Sequence, residues 1–491
     1  MKIALVIPRN SSVNDQNFYD LKFVSSFLFS KKYFAYLLAV PTLVSLTPPG
    51  HEIRIFDENI EEIDYSWDAD LAGITVRTMF ADRAYNISEN FRKKGVKTVL
   101  GGIHPSMCTE EALQHCDSVV VGEAEYVWQT LLKDAQEGKL KRTYEAGKKT
   151  DVTKGPIPDR TVLSNDRYLS DILQTTKGCP FKCEFCSVYA FDGQKIRNKK
   201  IDQVIAEIKS MSGSLLNYKK KAIFFADDNI IANKEFAREL FIALKPLKIK
   251  WSCQASINIS KEDELLGLMK ESGCGALLIG LESISEENLS RMNKGVNIRH
   301  DYINAIKKIQ SYGMLVNGSF ILGYDFDTED SFDELIEFIE EAHLLTPLIN
   351  ILTPYPGTKL FKRLEEENRI INKDWSKYDS KHVVFRPSLL TPEQLHEGFN
   401  RVIKHLYSFD SIYKRLGYFL DMGYWESFNR EDPIKLRYRM LFAARLLSLV
   451  FSSNLERSRF IIRILPRIFR ENVRISTILT LMAYNDYAYS S

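Results

Sequence analysis

The chain has 491 residues, with 66 Lys and Arg against 64 Asp and Glu, 45% hydrophobic and 26% charged residues. That is too long for one domain at roughly 100–200 residues each, and the composition excludes wholesale disorder. A net charge of +2 excludes a uniformly basic nucleic-acid coat or an acidic tail protein, so no nucleic-acid partner is expected. Seven cysteines, few and odd in number, argue against a disulfide framework and for a reducing, cytoplasmic setting.

The opening Met1–Pro8 reads as a strand, with no charged leader and no cleavage site behind it. The most apolar early stretch, Phe23 to Leu46, is interrupted by Lys31 and Lys32 and carries Pro41. No run reaches the ~18 apolar residues of a membrane-spanning helix. Over residues 1–135, strand candidates at Ile3–Ile7, Glu52–Phe56, Leu71–Thr75, Thr98–Gly102 and Ser118–Gly122 alternate with helical patterns such as Asp82–Lys94, stopped by Gly95. Such alternation predicts an α/β domain with a doubly wound parallel sheet and ligands at the carboxyl ends of its strands. Residues 136–170 are polar and bear Lys, Gly and Pro without periodicity, which reads as a linker.

From 171 to 360 the alternation resumes. Six strands are expected at Asp171–Thr176, Lys221–Ala226, Lys250–Ala255, Ala276–Leu281, Met314–Leu322 and Leu348–Thr353, with helices at Lys234–Leu244, Lys261–Ser272 and Asp330–Glu341 among them. Six βα units predict a partial barrel with its site at the strand C-terminal ends. Residues 361–491 read as mainly helical.

Directly after the first barrel strand stands Lys177-Gly178-Cys179-Pro180-Phe181-Lys182-Cys183-Glu184-Phe185-Cys186-Ser187. Three thiolates spaced Cys-x3-Cys-x2-Cys can converge on one iron–sulfur cube and leave its fourth iron open. Structural zinc needs a fourth ligand, usually from a second Cys/His pair, and neither Cys108, Cys116, Cys253 and Cys274 nor His343 and His382 supply one by spacing. Zinc and chance remain the alternatives.

The loop, its place after the first barrel strand and Phe185 before the last cysteine resemble the radical S-adenosylmethionine (SAM) superfamily. With a Rossmann-like domain ahead of the barrel, residues 1 to about 400 resemble its cobalamin-binding branch. The resemblance implies that Cys179, Cys183 and Cys186 ligate a 4Fe–4S cluster whose open iron is chelated by SAM. Asn317–Tyr324 resembles the strand whose backbone meets the adenine, which puts Gly318, Ile321 and Gly323 at SAM, followed by an acid, here Asp327. Gly280-Leu281-Glu282-Ser283 resembles the segment near the SAM ribose and methionine. Phe225-Ala226-Asp227-Asp228-Asn229 replaces the family's usual Gly-Gly-Glu, so the amino group would fall to Asp227. Leu352–Thr358, with Tyr355, resembles the turn that closes over the adenine. Taken singly, each has an ordinary structural reading: strand glycines allow close packing, and paired aspartates sit solvated on loops.

In the N-terminal domain Thr75-Val76-Arg77, Gly101-Gly102-Ile103-His104 and Gly122-Glu123-Ala124-Glu125 end neighbouring strands and resemble cobalamin-binding loops. Thr75, Arg77, Gly101, Gly102, His104, Gly122 and Glu123 are thus the expected cobalamin contacts, with His104 also readable as an ordinary hydrogen-bonded loop residue. No Asp-x-His-x-x-Gly motif is present to carry a histidine to cobalt.

Between Ile434 and Ile475 ten Lys or Arg stand against Glu456 and Glu471, interleaved with apolar residues and divided by Pro466. Setting these aside leaves 56 basic against 62 acidic residues, a mildly acidic body with a basic tail. The tail reads either as a helical subdomain packed on the barrel or as amphipathic helices at an anionic membrane surface.

The resemblance implies a cobalamin-dependent enzyme that methylates an unactivated carbon of a hydrophobic substrate (lipid, isoprenoid or natural product), fed by an external electron donor. A 5′-deoxyadenosyl radical would take the hydrogen and methylcobalamin would supply the methyl. The alternatives are a related enzyme that cyclises, oxidises or couples its substrate, and a non-catalytic iron–sulfur or zinc scaffold at a membrane.

Overall fold

A computed structural model of the chain describes residues 1–9, 33–163, 167–211, 222–298, 301–424, 436–451, 454–470 and 475–490. The early expectations for 10–32, and those for Ile434, Lys435, Glu471 and Arg474 in the tail, lie outside the described residues.

Strands β1 (Lys2–Ile7), β2 (Glu52–Asp57), β3 (Leu71–Thr75), β4 (Lys97–Gly101), β5 (Ser118–Val121) and β6 (Thr143–Glu145) form one parallel sheet in the order β2-β1-β3-β4-β5-β6. The unbroken apolar run of β1 fits a strand covered on both faces: Ile3, Ala4, Leu5, Val6 and Ile7 are all buried. The chain leaves β1 for β2 on one side and returns to β3 on the other, so the strand order reverses between β1 and β3. A crevice opens at the strand ends at such a switch point.

The stretch 136–170, expected as a linker, is built into the structure. β6 pairs with β5 and buries Tyr144; three residues are too short a run to show a strand period. Further on, the buried Arg160 meets Glu207 at 2.6 Å, Tyr36 Oη at 2.7 Å and the Ile172 carbonyl at 2.8 Å.

The second sheet holds β7 (Asp171–Leu173), β10 (Ile223–Phe225), β11 (Trp251–Ala255), β12 (Cys274–Glu282), β13 (Leu315–Leu322) and β14 (Leu348–Ile351), all parallel, in the order β14-β13-β12-β11-β10-β7. Sequential parallel strands with helical crossovers make the expected open half-barrel. Between β7 and β10 a small antiparallel pair, β8 (Thr176–Lys177) and β9 (Arg197–Asn198), clips together the two ends of the cysteine loop. The predicted single strand Asp171–Thr176 is therefore broken. The Thr175 amide leaves the ladder for the Asp227 carboxylate, 3.1 Å away, and the chain turns there.

The tail forms helices Leu436–Val450, Leu455–Arg470 and Ile475–Ser490. Leu446, Phe460, Ile461, Ile464, Ile468, Ile478 and Met482 join the same buried core as the barrel. Arg463 pairs with Asp410 at 3.3 Å and Arg467 with Asp421 at 2.5 Å, both acids on helix Phe409–Asp421. The packed subdomain is thus the arrangement observed. Pro466 does not divide the helix it sits in, because burial of Ile464 and Ile468 on either side holds that turn. Among the described residues no helix is long and apolar enough to cross a membrane.

Candidate active site

The cysteine loop is fastened at several points. Gly178 has φ +88°, and a Cβ there would stand 2.5 Å from the Lys195 carbonyl oxygen, so only glycine fits the turn into the loop. The Cys179 amide donates to the Gly193 carbonyl at 3.2 Å, and the Glu184 amide to Met292 at 3.0 Å. The Glu184 carboxylate accepts from Arg363 at 2.8 Å and from the Tyr324 hydroxyl.

Cys183 is buried and Cys179 and Cys186 half-buried. Burial pushes the Cys183 thiol up to about 11 and raises the other two as well, so these sulfurs stay protonated until a cation binds them. Three thiols on one fastened loop fit a cluster of irons.

Lys294 supplies positive charge beside the loop. Its ammonium lies 2.8 Å from Glu282 Oε1 and 5.9 Å from the Phe185 ring centre. Burial works against the charge, but Glu282 and the Cys183 and Cys186 sulfurs outweigh it and hold the ammonium above the usual lysine range. A buried cation here favours thiolates over thiols. Glu282 itself sits at a break in the β12–β13 register with φ +66°, and Ser283 is buried next to it.

At the end of β10 the two aspartates differ. Asp227 is fully buried and committed to the protein: it accepts from the Thr175 hydroxyl at 2.7 Å and the Thr175 amide. Asp228 instead has a buried Oδ2 with no partner among the described residues. Burial, then the charges of Asp192 and Asp227, push its carboxyl up to about 7. An acid in that state accepts a positive ligand group readily.

At the end of β13, Asp327 caps the turn, accepting from the Gly323 amide at 2.7 Å, Tyr324 at 3.0 Å and Asn288 Nδ2 at 2.7 Å. Gly318 faces the core, where a Cβ would meet Leu344 at 2.8 Å. Ile321 packs on the same core, and Tyr355 bonds Ser380 at 3.2 Å.

At the carboxyl end of the first sheet, at its switch point, lies a cavity of about 390 Å³. Leu5, Val6, Gly73, Thr75, Arg77, Gly101, Gly102 and Gly122 line one wall; Thr175, Thr176, Lys177 and Phe191, beside the cysteine loop, line the other. Gly102 has φ +104°, and a Cβ there would press on the Val76 backbone at 2.9 Å. This bare backbone and apolar wall suit a large flat ligand approaching closely.

Thr75, Arg77, Gly101, Gly102 and Gly122 thus all border this cavity. Glu123 also borders the cavity, but its carboxylate is taken: Arg197 approaches its two oxygens at 2.9 and 2.8 Å, Lys177 lies at 3.5 Å, and the Thr150 amide donates at 2.5 Å. Lys177 also meets Glu125 at 2.7 Å. These charges bind the first sheet to the β8–β9 clip. His104 lines no part of the cavity; it is buried behind the Gly101-Gly102 loop, its Nε2 3.0 Å from the Tyr85 hydroxyl. Lys294 and Arg197 have no signature in the sequence, since a lone basic residue has no spacing to betray it, and nothing in the Asp227-Asp228 pair tells which carboxylate is left without a partner.

Residues 173–339 match the model of the radical SAM superfamily, and 358–488 match a domain of unknown function, DUF4070. The bacteriochlorophyllide d C-8(2)-methyltransferase of Chlorobaculum tepidum is 35% identical over 371 residues, spanning 72% of this chain and 82% of the relative. The C-12(1)-methyltransferase of the same organism is 34% identical over 352 residues, 71% of this chain and 76% of the relative. The cobalamin-dependent SAM radical enzyme OxsB, solved with aqua-cobalamin and SAM bound, shares the fold with a TM-score of 0.62 at 14% identity, over 100% of this chain and 84% of OxsB. With its three-cysteine loop, half-barrel and leading parallel sheet, the chain belongs to the cobalamin-dependent (B12-dependent) radical SAM methyltransferases.

Proposed function

We propose that this enzyme methylates an unactivated carbon on a hydrophobic ring system of the tetrapyrrole kind, working between the cysteine loop and the cavity at the first sheet. The observation that carries the substrate class is the pair of relatives named for bacteriochlorophyllide d, each 34–35% identical over more than two thirds of the chain.

In this reading Cys179, Cys183 and Cys186 hold the 4Fe–4S cluster, with Lys294 balancing the thiolate charge. Asp228, rather than the committed Asp227, takes the SAM amino group. Glu282, Ser283, Gly318, Ile321, Gly323 and Tyr355 shape the rest of the SAM site, and Phe185 packs beneath the loop. Thr75, Arg77, Gly101, Gly102 and Gly122 carry the corrin. When bound, the cluster and SAM supply a hydrogen-abstracting 5′-deoxyadenosyl radical, and the corrin supplies the methyl group. The chain's own work is to orient and to exclude water. Glu123, Arg197, Lys177 and Glu125 fix the sheet against the cysteine loop, and so fix the distance between the two cofactors.

The test is a comparison of tetrapyrroles and other lipophilic metabolites extracted from cells with and without the gene. A compound heavier by one methyl that disappears with the gene is expected. An unchanged tetrapyrrole fraction alongside a changed lipid fraction would refute the substrate class.

A further inference from the structure

We propose that His104, Cys108 and Glu111 form a second metal site that takes one zinc ion, separate from the cluster and from the cavity. One ligand atom from each lies within 4.8 Å of the others. His104 lies on the short helix Ile103–Met107, Glu111 on Thr109–His115, and Cys108 at the junction between them. An imidazole, a thiolate and a carboxylate are all donors that zinc takes. Tetrahedral zinc places such atoms about 3.3–3.6 Å apart, so the ion needs only a small contraction of the side chains.

The surroundings are those of a supported ligand set. Tyr85 Oη lies 3.0 Å from His104 Nε2 and donates to Glu111 Oε1 at 2.9 Å, and Trp375 Nε1 donates to the same oxygen at 2.7 Å. These bonds fix one side of His104 and of Glu111, as outer partners of metal ligands do. The other side is open: His104 Nδ1 is fully buried and has no partner among the described residues. Glu111 also borders a polar pocket of about 420 Å³, with Asp82, Glu89, His115 and Lys373 around it. Burial, and then the charge of Glu111, hold the Cys108 thiol at about 12. Zinc binding therefore exchanges the thiol proton, released to solvent, for a thiolate–zinc bond.

The ion would lock the short segment from His104 to Glu111, which hydrogen bonds already join to Tyr85 and Trp375. His104 follows directly on the Gly101-Gly102 loop at the cavity, Tyr85 comes from helix Ala81–Arg92, and Trp375 from the turn Trp375–Lys377. It would act as a clamp behind the corrin-facing backbone.

The experiment uses reconstituted holoenzyme, whose cluster occupies Cys179, Cys183 and Cys186. The protein is incubated with an equivalent of zinc sulfate, desalted, and counted for zinc by plasma mass spectrometry. About one zinc per chain is expected for the parent, falling at least fivefold in C108A. C108A carries the test because Cys108 makes no side-chain hydrogen bond that the fold would lose, and circular dichroism verifies its fold. Zinc K-edge absorption should show one sulfur with nitrogen and oxygen neighbours. Background zinc in the parent, equal zinc in C108A, or an all-sulfur shell would each overturn the proposal.

Discussion

Glu123, an expected corrin contact, borders the cavity and is also a strut to Arg197 and Lys177. Replacing it by glutamine keeps its shape and removes its charge, leaving Arg197 and Lys177 facing a neutral amide. Burial of Glu123 opposes its ionisation, but Arg197, Lys177 and the Thr150 amide outweigh that and hold its carboxyl at about 2, against an ordinary 4.5. At ~1.4 kcal/mol per unit, that displacement corresponds to about 3 kcal/mol, within the range for breaking a buried pair by removing one partner. The sign follows from the depressed carboxyl: the stabilisation is present above about 4.5 and is lost as pH falls towards 2. The loss in E123Q should fall on the β8–β9 clip, because that is where Arg197 and Lys177 sit. Hydrogen exchange at pH 7 reads this directly. About 3 kcal/mol corresponds to roughly a hundredfold faster exchange of the clip amides where they open locally, with β1 and β3 unchanged. A change of less than threefold across 176–198 would refute the strut, and so would equal acceleration throughout the first sheet.

Further expectations follow from the same geometry. D228N should raise the KM for SAM about tenfold, the worth of one charge-assisted bond, without altering the cluster's visible absorption. The parent's KM should fall as pH rises through about 7, where Asp228 ionises, and D228N should be flat; matching profiles would remove Asp228 from the SAM site. G102A places a side chain at φ +104° against the Val76 backbone, so cobalamin retained after gel filtration should drop, and equal retention would place the corrin elsewhere. C183A should abolish both the cluster absorption and reductive SAM cleavage. If the C-terminal helices touch a bilayer through the exposed Phe451 and Leu455, F451S/L455S should reduce co-sedimentation with anionic vesicles, and equal sedimentation discards contact through these two residues.

Much of this architecture is visible in the chain itself, for a physical reason. Strands covered on both faces are near-continuous apolar runs, and helices Lys234–Leu244 and Asp330–Glu341 keep a clear apolar stripe, so they lie where they were expected. The cysteine loop is legible because cluster ligation imposes spacing on a single short segment. What depends on side-chain direction is not legible. Asp227 and Asp228 are adjacent and chemically identical, and only the Thr175 amide and hydroxyl decide which one is committed to the protein. Glu123 and His104 lie in segments that do border the cavity, yet Arg197 captures one and Tyr85 the other, from positions 74 and 19 residues away. β6 is not legible because three residues carry no period, nor is the break before β8, because a side chain and not the backbone takes the Thr175 amide.

The central claim is methyl transfer through a radical at the cysteine loop. Its most direct test is anaerobic incubation of the reconstituted enzyme with a low-potential reductant, SAM bearing a deuterated methyl group, and a bacteriochlorophyllide-type tetrapyrrole. The account predicts 5′-deoxyadenosine, S-adenosylhomocysteine and a tetrapyrrole carrying the deuterated methyl. Substrate consumed with 5′-deoxyadenosine but without the label, or no 5′-deoxyadenosine from an enzyme with an intact cluster, would contradict it.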